Sequence, residues 1–519
     1  MGPPADWPTR DLLTHRAAAT PERTALVDAD RDTDWTYREF DARVAERATA
    51  VADATAADAA ATADADADAG NGPTVALLLD TRPAFAELLF AAMRLGGRLV
   101  PLNVRLTADV LAAQLDRIDP DLLVCGTDTE RTARDVADCP IATVDEPTTD
   151  GVAPLSAPAD ASVEPSTIDR DHELLVLFTS GTTGRPKGVR LTVGNLLVSA
   201  TASAFRLGVT REDRWLCCLP MYHTGGLAPV VRSVLYGTTA VLQRSFDAAE
   251  TATVLADESI TGVSLVPTTL RRLLDAGWHP PDSLRFVLLG GARAPAELID
   301  RCKARGVPVY PTYGTTETAS QIATATPEQA VAHEGTVGQP LVTTDVTIVD
   351  PADGTPVEPG GTGEIVVSGP NVTPGYLAEA ATADAFGERG LHTGDVGERD
   401  ADGRLWIHNR LDDRIVTGGE NVDPGEVVEA LRAHPAVRDA GVVGLDDPEW
   451  GERVAALVVP TDESADGQPT PDELERHCRG RLAGFKVPRE IALAEELPRT
   501  ASGTVDRERV REALSNRGT

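Results

Sequence analysis

Leu177-Phe178-Thr179-Ser180-Gly181-Thr182-Thr183-Gly184-Arg185-Pro186-Lys187-Gly188 is the stretch whose residue types are best suited to chemistry. Its glycines and small hydroxyls leave backbone N–H groups free to converge on phosphate oxygens. Thr and Ser add O–H donors, and Lys187 adds a cation. The spacing is not the Walker A pattern, because Pro186 stands five residues after Gly181 where that pattern needs glycine before Lys-Ser/Thr. A run of Gly, Ser and Thr alone is more often a flexible turn. Here the apolar run 174–178 precedes it and reads as a buried strand, so the loop leaves the end of a sheet, where α/β proteins bind ligands. This loop is expected to grip a nucleotide.

Further groups with chemical potential follow. Tyr313-Gly314-Thr315-Thr316-Glu317 offers an aromatic face, hydroxyls and one carboxylate. Thr393-Gly394-Asp395 offers a carboxylate that could accept from ribose hydroxyls. Arg410-Leu411-Asp412-Asp413 is a charged segment, and Gly418-Gly419-Glu420-Asn421 a flexible turn. Each is weak alone; their joint presence in this order is specific.

The elements that must position these groups read as α/β. Residues 74–79 form a strand, 83–95 a helix and 98–101 the next strand, a βαβ unit. The pattern recurs with a strand at 284–289, a helix at 295–305 and a strand at 307–310, which argues for parallel, helix-covered sheets. From about residue 336 short strands alternate with turns, at 345–349 and 363–368, as in a small antiparallel or barrel-like portion. Beyond a boundary at 410–413 lies an α+β stretch: helix 424–433, strands 440–444 and 454–459, helix 471–482 and a charged tail. Residues 53–72 are an Ala/Asp/Thr run without branched or aromatic anchors, read as a surface insertion that is partly helical.

Taken together, the motifs resemble the AMP-forming acyl/aryl-CoA synthetase superfamily, which includes luciferases and carrier-loading adenylation domains, over nearly the whole chain. The resemblance implies an α/β fold. A large N-terminal domain (1–410) would hold two α/β subdomains plus a small β-barrel and carry the insertion. A small mobile α+β domain (411–519) would follow. It implies two steps: a carboxylate attacks the α-phosphate of ATP and releases pyrophosphate, and then the thiol of CoA displaces AMP. By the same resemblance Thr179, Ser180, Gly181, Thr182, Thr183, Gly184 and Lys187 would hold the β- and γ-phosphates. Tyr313 would stack on adenine, Thr316 would touch the α-phosphate, and Glu317 would help hold Mg²⁺. Asp395 and Arg410 would bind ribose, Asp412 would be the hinge, and Gly418, Gly419 and Glu420 would border the entry path of the thiol. Gly290, Gly291 and His223 would line the acyl pocket, although a hydrogen-bonded core histidine is an equal reading of His223.

The stretches Leu288-Leu289-Gly290-Gly291-Ala292-Arg293-Ala294-Pro295, Thr316-Glu317-Thr318-Ala319-Ser320-Gln321 and Gly335-Thr336-Val337-Gly338-Gln339-Pro340-Leu341 narrow the choice. They look most like the branch that ligates 2-succinylbenzoate to CoA in menaquinone synthesis. The alternatives are a CoA ligase for a fatty or other aromatic acid, and a nucleotide-binding homologue with weakened adenylation. The last stays open because the superfamily's C-terminal lysine, which bridges carboxylate and phosphate, is replaced here by Thr504 in Pro498-Arg499-Thr500-Ala501-Ser502-Gly503-Thr504. Losing one such donor costs about 10²–10³ in rate. Lys486, Arg499 and Arg507 are the candidates to compensate.

Composition sets outer bounds. The 519 residues suggest more than one domain. The balance of 81 acidic against 48 basic residues, net −33, repels nucleic acid and anionic membranes. Only Lys187, Lys303 and Lys486 are lysines, and an acid excess with arginine favoured over lysine resembles proteins of salt-loving organisms or of GC-rich genomes. The N-terminus lacks a secretory pattern and no run is long enough to cross a bilayer, so a cytoplasmic protein is expected. Six scattered cysteines, without zinc spacing, read as buried thiols. A homodimer is compatible with the sequence.

Overall fold

The apolar run ahead of the glycine-rich loop forms the strand Glu173–Thr179, and the chain returns from that loop directly into a second strand, Lys187–Thr192, paired antiparallel to the first with Thr179 opposite Lys187. Lys187 is therefore the first residue of a strand. The computed structural model describes residues 10–62, 72–158, 161–179, 186–413, 415–417, 420–448, 450–461, 468–500 and 504–516. The chain divides into two compact units, residues 1–346 with 367–391, and residues 347–366 with 392–519.

In the first unit the hairpin belongs to an eight-stranded sheet in the order Gly375–Tyr376, Lys187–Thr192, Glu173–Thr179, Arg98–Pro101, Thr74–Leu78, Leu122–Cys125, Ile141–Thr143 and Ala153–Pro154. Pairing from Glu173–Thr179 through to Ala153–Pro154 is parallel, as the βαβ reading requires. At the hairpin it is antiparallel, because a short return needs no crossover helix, and Gly375–Tyr376 also pairs antiparallel. The helix Pro83–Arg94 starts on proline and is buried at every position, and apart from Glu87 and Arg94 its residues are apolar. Its one carboxylate, Glu87, is met by Arg43 at 2.6 Å and Arg47 at 2.8 Å from the helix Tyr37–Thr62. That second helix runs into the Ala-rich stretch, as alanine's helix propensity favours. The rest of the expected insertion, 63–71, lies outside the described residues.

A second sheet of the same unit orders its strands Thr336–Pro340, Ala323–Thr324, Val309–Tyr313, Phe286–Leu289, Gly262–Leu265, Arg214–Cys217, Thr239–Leu242, Thr24–Asp28 and Thr33–Thr36. Phe286–Leu289 and Val309–Tyr313 run parallel, joined by the helix Ala296–Ala304, as the sequence pattern indicates. Leu216, Val263, Val287, Leu289 and Val309 build the core between this sheet and its helices.

In the second unit residues 395–399 pair antiparallel with the strand Leu405–Arg410 to form a hairpin. Farther along, Glu420–Val422, Ile415–Thr417, Gly451–Pro460 and Val437–Asp447 form a sheet that Glu490–Leu493 joins in parallel. Alternation along Gly451–Pro460 explains why its sequence is apolar from Val454 onward. Val454, Ala456 and Val458 pack in one core with Val427, Leu431 and Leu474, while Ala455, Leu457 and Val459 pack in another with Val510 and Leu514. The expected charged tail is instead the helix Arg507–Ser515, capped by Asp506 and held by Val510 and Leu514. Charge on its outer face hid two apolar anchors four residues apart. Five of the six cysteines are buried, and Cys139 is half-buried.

Candidate active site

The first unit gathers several of the candidate residues around one tyrosine. Tyr313 ends the strand Val309–Tyr313, and Thr316 and Glu317 follow in a single 3₁₀ turn, Thr316–Thr318. The turn doubles back so tightly that a Cβ on Gly314 would lie 1.6 Å from the Ser320 carbonyl oxygen; only glycine fits there. Ala319 sits in the left-handed region at φ 54°. The loop is tied down by Ser199, whose hydroxyl donates to the Ala319 carbonyl at 3.2 Å, and by Thr373, whose N–H donates to the Glu317 carbonyl at 2.7 Å.

Glu317 then receives a side-chain contact that motif reading did not anticipate. The Tyr376 hydroxyl donates to its Oε1 at 3.0 Å, and the face of the same ring lies 5.2 Å from Lys187 Nζ. Tyr376 is 6% exposed and belongs to the two-residue strand paired against Lys187–Thr192. Gly188 permits this closeness, since a Cβ there would meet Leu377 Cδ1 at 2.5 Å. The structure thus joins Lys187 and Glu317, far apart in sequence, through one ring. Thr179 is opposite Lys187 in the hairpin. Ser180, Gly181, Thr182, Thr183 and Gly184 lie outside the described residues.

A single half-buried carboxylate, with one oxygen bonded to Tyr376, suits Mg²⁺, which keeps waters and takes most of its remaining ligands from substrate phosphates. Among the described residues no cluster of three or more His, Cys, Asp or Glu forms an all-protein metal cage. No helix among them is long and apolar enough to cross a membrane.

Gly290 and Gly291 follow the strand Phe286–Leu289, next to the strand that ends in Tyr313. A Cβ on Gly290 would come within 2.8 Å of Thr312 Cγ2, and Gly291 has φ 76°. His223 precedes the helix Thr224–Tyr236 and lies edge-on to Tyr222, ring centroids 4.9 Å apart. Its Nε2 is buried without a hydrogen-bond partner. Burial, helped by the charge of Arg105, pushes its pKa down to about 4, so the ring is neutral at pH 7.

On the same helix lies a residue that sequence reading missed. Arg232 is 2% exposed, forms no ion pair among the described residues and leaves one Nη2 unsatisfied. Its guanidinium lies 5.3 Å from the Trp215 ring, and burial lowers its pKa. The neighbouring phenol of Tyr236, pushed up to about 12 by burial, is neutral and supplies no counter-charge. A cation–π contact contributes about 2 kcal/mol at best, against several kcal/mol to bury an unpaired cation. The signal in the sequence was a lone charge inside Val230-Val231-Arg232-Ser233-Val234-Leu235.

In the second unit Asp395 and Arg410 lie directly opposite one another in the antiparallel hairpin, with Arg410 Nε 3.4 Å from Asp395 Oδ1. Arg410 Nη2 also donates to the Thr393 carbonyl at 3.1 Å. The backbone of Asp412 is in the turn Leu411–Asp413, and Glu420 opens a strand, but both side chains, with Gly418 and Gly419, lie outside the described residues. Thr504 pairs its hydroxyl with that of Thr500 at 2.6 Å. Each cation considered as a replacement for the missing lysine is engaged: Lys486 with Glu426 at 2.6 Å, Arg499 with Asp439 at 2.6 Å, and Arg507 with Asp413. Burial first, then Arg410 and Arg511, lowers the Arg507 pKa to about 10, which leaves it charged at pH 7.

Comparison with known proteins identifies the family. Residues 13–377 match the family model described as AMP-binding enzyme, and residues 426–504 match AMP-binding enzyme C-terminal domain. A 2-succinylbenzoate–CoA ligase of Bacillus licheniformis is 37% identical over 500 residues, covering 96% of this chain and 98% of that protein. The o-succinylbenzoate CoA synthetase of Bacillus subtilis in complex with its acyl-adenylate intermediate superposes with TM-score 0.85 at 35% identity, covering 97% of this chain and 98% of the other. The same enzyme in complex with ATP and magnesium ion gives 0.84 at 34% identity, covering 98% and 99%.

Proposed function

Because the chain belongs to the AMP-binding enzymes, we propose that it joins 2-succinylbenzoate to CoA, with cleavage of ATP to AMP and pyrophosphate. In the first step a carboxylate oxygen attacks the α-phosphorus, the bond to the bridging oxygen breaks, and pyrophosphate leaves. In the second the CoA thiol, losing its proton, attacks the acyl carbon and expels AMP. Neither step needs a protein nucleophile; both need positioning and charge neutralisation.

In this reading Lys187 and the loop from Thr179 to Gly184 hold the β- and γ-phosphates. Tyr313 stacks on adenine, Thr316 touches the α-phosphate, and Asp395 and Arg410 hold ribose. Glu317 holds Mg²⁺, which when bound neutralises phosphate oxygens. Asp412 is the hinge between functional domains 1–410 and 411–519, and Gly418, Gly419 and Glu420 border the thiol path. His223, Gly290 and Gly291 line the acyl pocket. A cytoplasmic setting, salt-rich on the argument of the acid excess, completes the reading, with a homodimer as its assembly.

The observation that carries the choice of acid is the similarity, 37% identical over 96% of this chain, to a 2-succinylbenzoate–CoA ligase. The experiment is turnover with ATP, Mg²⁺ and CoA over a panel of acids in molar KCl, following AMP and thioester. Thioester formation from 2-succinylbenzoate in preference to benzoate, fatty and malonic acids is expected. Equal or better turnover of a monocarboxylic acid overturns the assignment.

The second reading, a homologue slow in adenylation, is favoured by Thr504 and by the ion pairs that occupy Lys486, Arg499 and Arg507. Under it Thr504→Lys raises the rate of pyrophosphate release by about tenfold or more. An unchanged rate would mean that position 504 is not equivalent to that of the superfamily's lysine.

A further inference from the structure

The geometry points to Tyr376 as a positioning residue for adenylation, one that keeps Lys187 and Glu317 apart as well as in place. This deepens the adenylating reading and rests on it. Lys187 and Glu317 carry opposite charges around the same phosphates, and a direct ion pair between them would neutralise both. No such pair forms among the described residues; each group instead meets Tyr376. Its hydroxyl donates to Glu317 Oε1 at 3.0 Å, and its face meets Lys187 Nζ at 5.2 Å from the centroid.

The backbone fixes this placement independently of the side chains. Tyr376 pairs opposite Val189, and Leu377 N–H donates to the Gly188 carbonyl at 2.9 Å. Three residues before Tyr376, Thr373 N–H donates to the Glu317 carbonyl at 2.7 Å, and the Thr373 hydroxyl bonds the carbonyls of Arg190 and Gly375, the latter at 2.8 Å. One short segment therefore clamps both the strand that starts with Lys187 and the turn that carries Glu317. The tyrosine hydroxyl holds one carboxylate oxygen and so orients the other, as groups behind a metal ligand do. The ring accepts the ammonium on its face without neutralising it.

The test is ATP binding by equilibrium dialysis in the absence of acid substrate, with Mg²⁺ titrated. It uses the full chain as wild type, Tyr376→Phe, Tyr376→Leu, Glu317→Gln and the Tyr376→Phe/Glu317→Gln double variant. Tyr376→Phe keeps the ring and loses only an oxygen, and its fold is checked by circular dichroism. It should raise the Mg²⁺ midpoint about tenfold and leave ATP affinity at saturating Mg²⁺ unchanged. Tyr376→Leu should also lower ATP affinity at saturating Mg²⁺. In the Glu317→Gln background Tyr376→Phe should add nothing. An unshifted midpoint in Tyr376→Phe, or additive effects in the double variant, overturns the role of Tyr376 while wild-type binding of Mg·ATP leaves the adenylating reading standing. Wild type that binds no Mg·ATP overturns both.

Discussion

Arg232 and His223 show how burial sets the chemistry of a side chain. Arg232 is a guanidinium buried without an ion-pair partner among the described residues, an arrangement that stability alone disfavours. His223 gives up its charge. Its folded pKa of about 4 lies below the 6.5 of an unperturbed histidine, so the unfolded chain binds the proton first as pH falls. The stability associated with the neutral ring is complete above pH 6.5 and is lost progressively toward pH 4, by about 3 kcal/mol in all. Urea unfolding at pH 7 and pH 5 should show a smaller drop for His223→Asn than for wild type. Neither environment was legible from residue type. The sequence offered His223 as a pocket residue or a core residue, and the structure shows a half-buried residue whose Nε2 is buried and unsatisfied.

Among the elements, those with a local signature were readable: the apolar run before the glycine-rich loop, the βαβ unit around Pro83–Arg94, and the alternating strand and helix leading to Tyr313. Their residues are close in sequence, and periodicity reports them. Pairing of distant segments leaves no such trace. That Lys187 starts a strand rather than ending a loop, and that Gly375–Tyr376 lies against that strand, follows from register, which one chain read alone does not reveal. The tightest local constraint is Gly314. Gly314→Ala would place its Cβ 1.6 Å from the Ser320 carbonyl, so the turn bearing Thr316 and Glu317 must shift. A loss of more than about 2 kcal/mol in urea stability, together with a raised KM for ATP, is expected. Unchanged values for both would mean that the turn relaxes freely.

At the scale of the molecule, the acid excess and scarce lysine were plain from composition, and they left Lys187 as one of three lysines, at the end of the glycine-rich motif. The division into units was legible only in outline, because contacts and not sequence texture decide where compact bodies end. The C-terminal sheet carries apolar side chains on both faces, and the cores on either side draw only on residues from Ile415 to Leu514. A core of its own gives that part its own heat of unfolding. Scanning calorimetry of the full chain should therefore resolve two endotherms, with a calorimetric enthalpy larger than the van't Hoff enthalpy of either peak. Saturating ATP and Mg²⁺ should move at least one peak upward. A single endotherm with equal enthalpies would mean that the chain melts as one cooperative block, and any melting temperature quoted for it would then be a property of the whole.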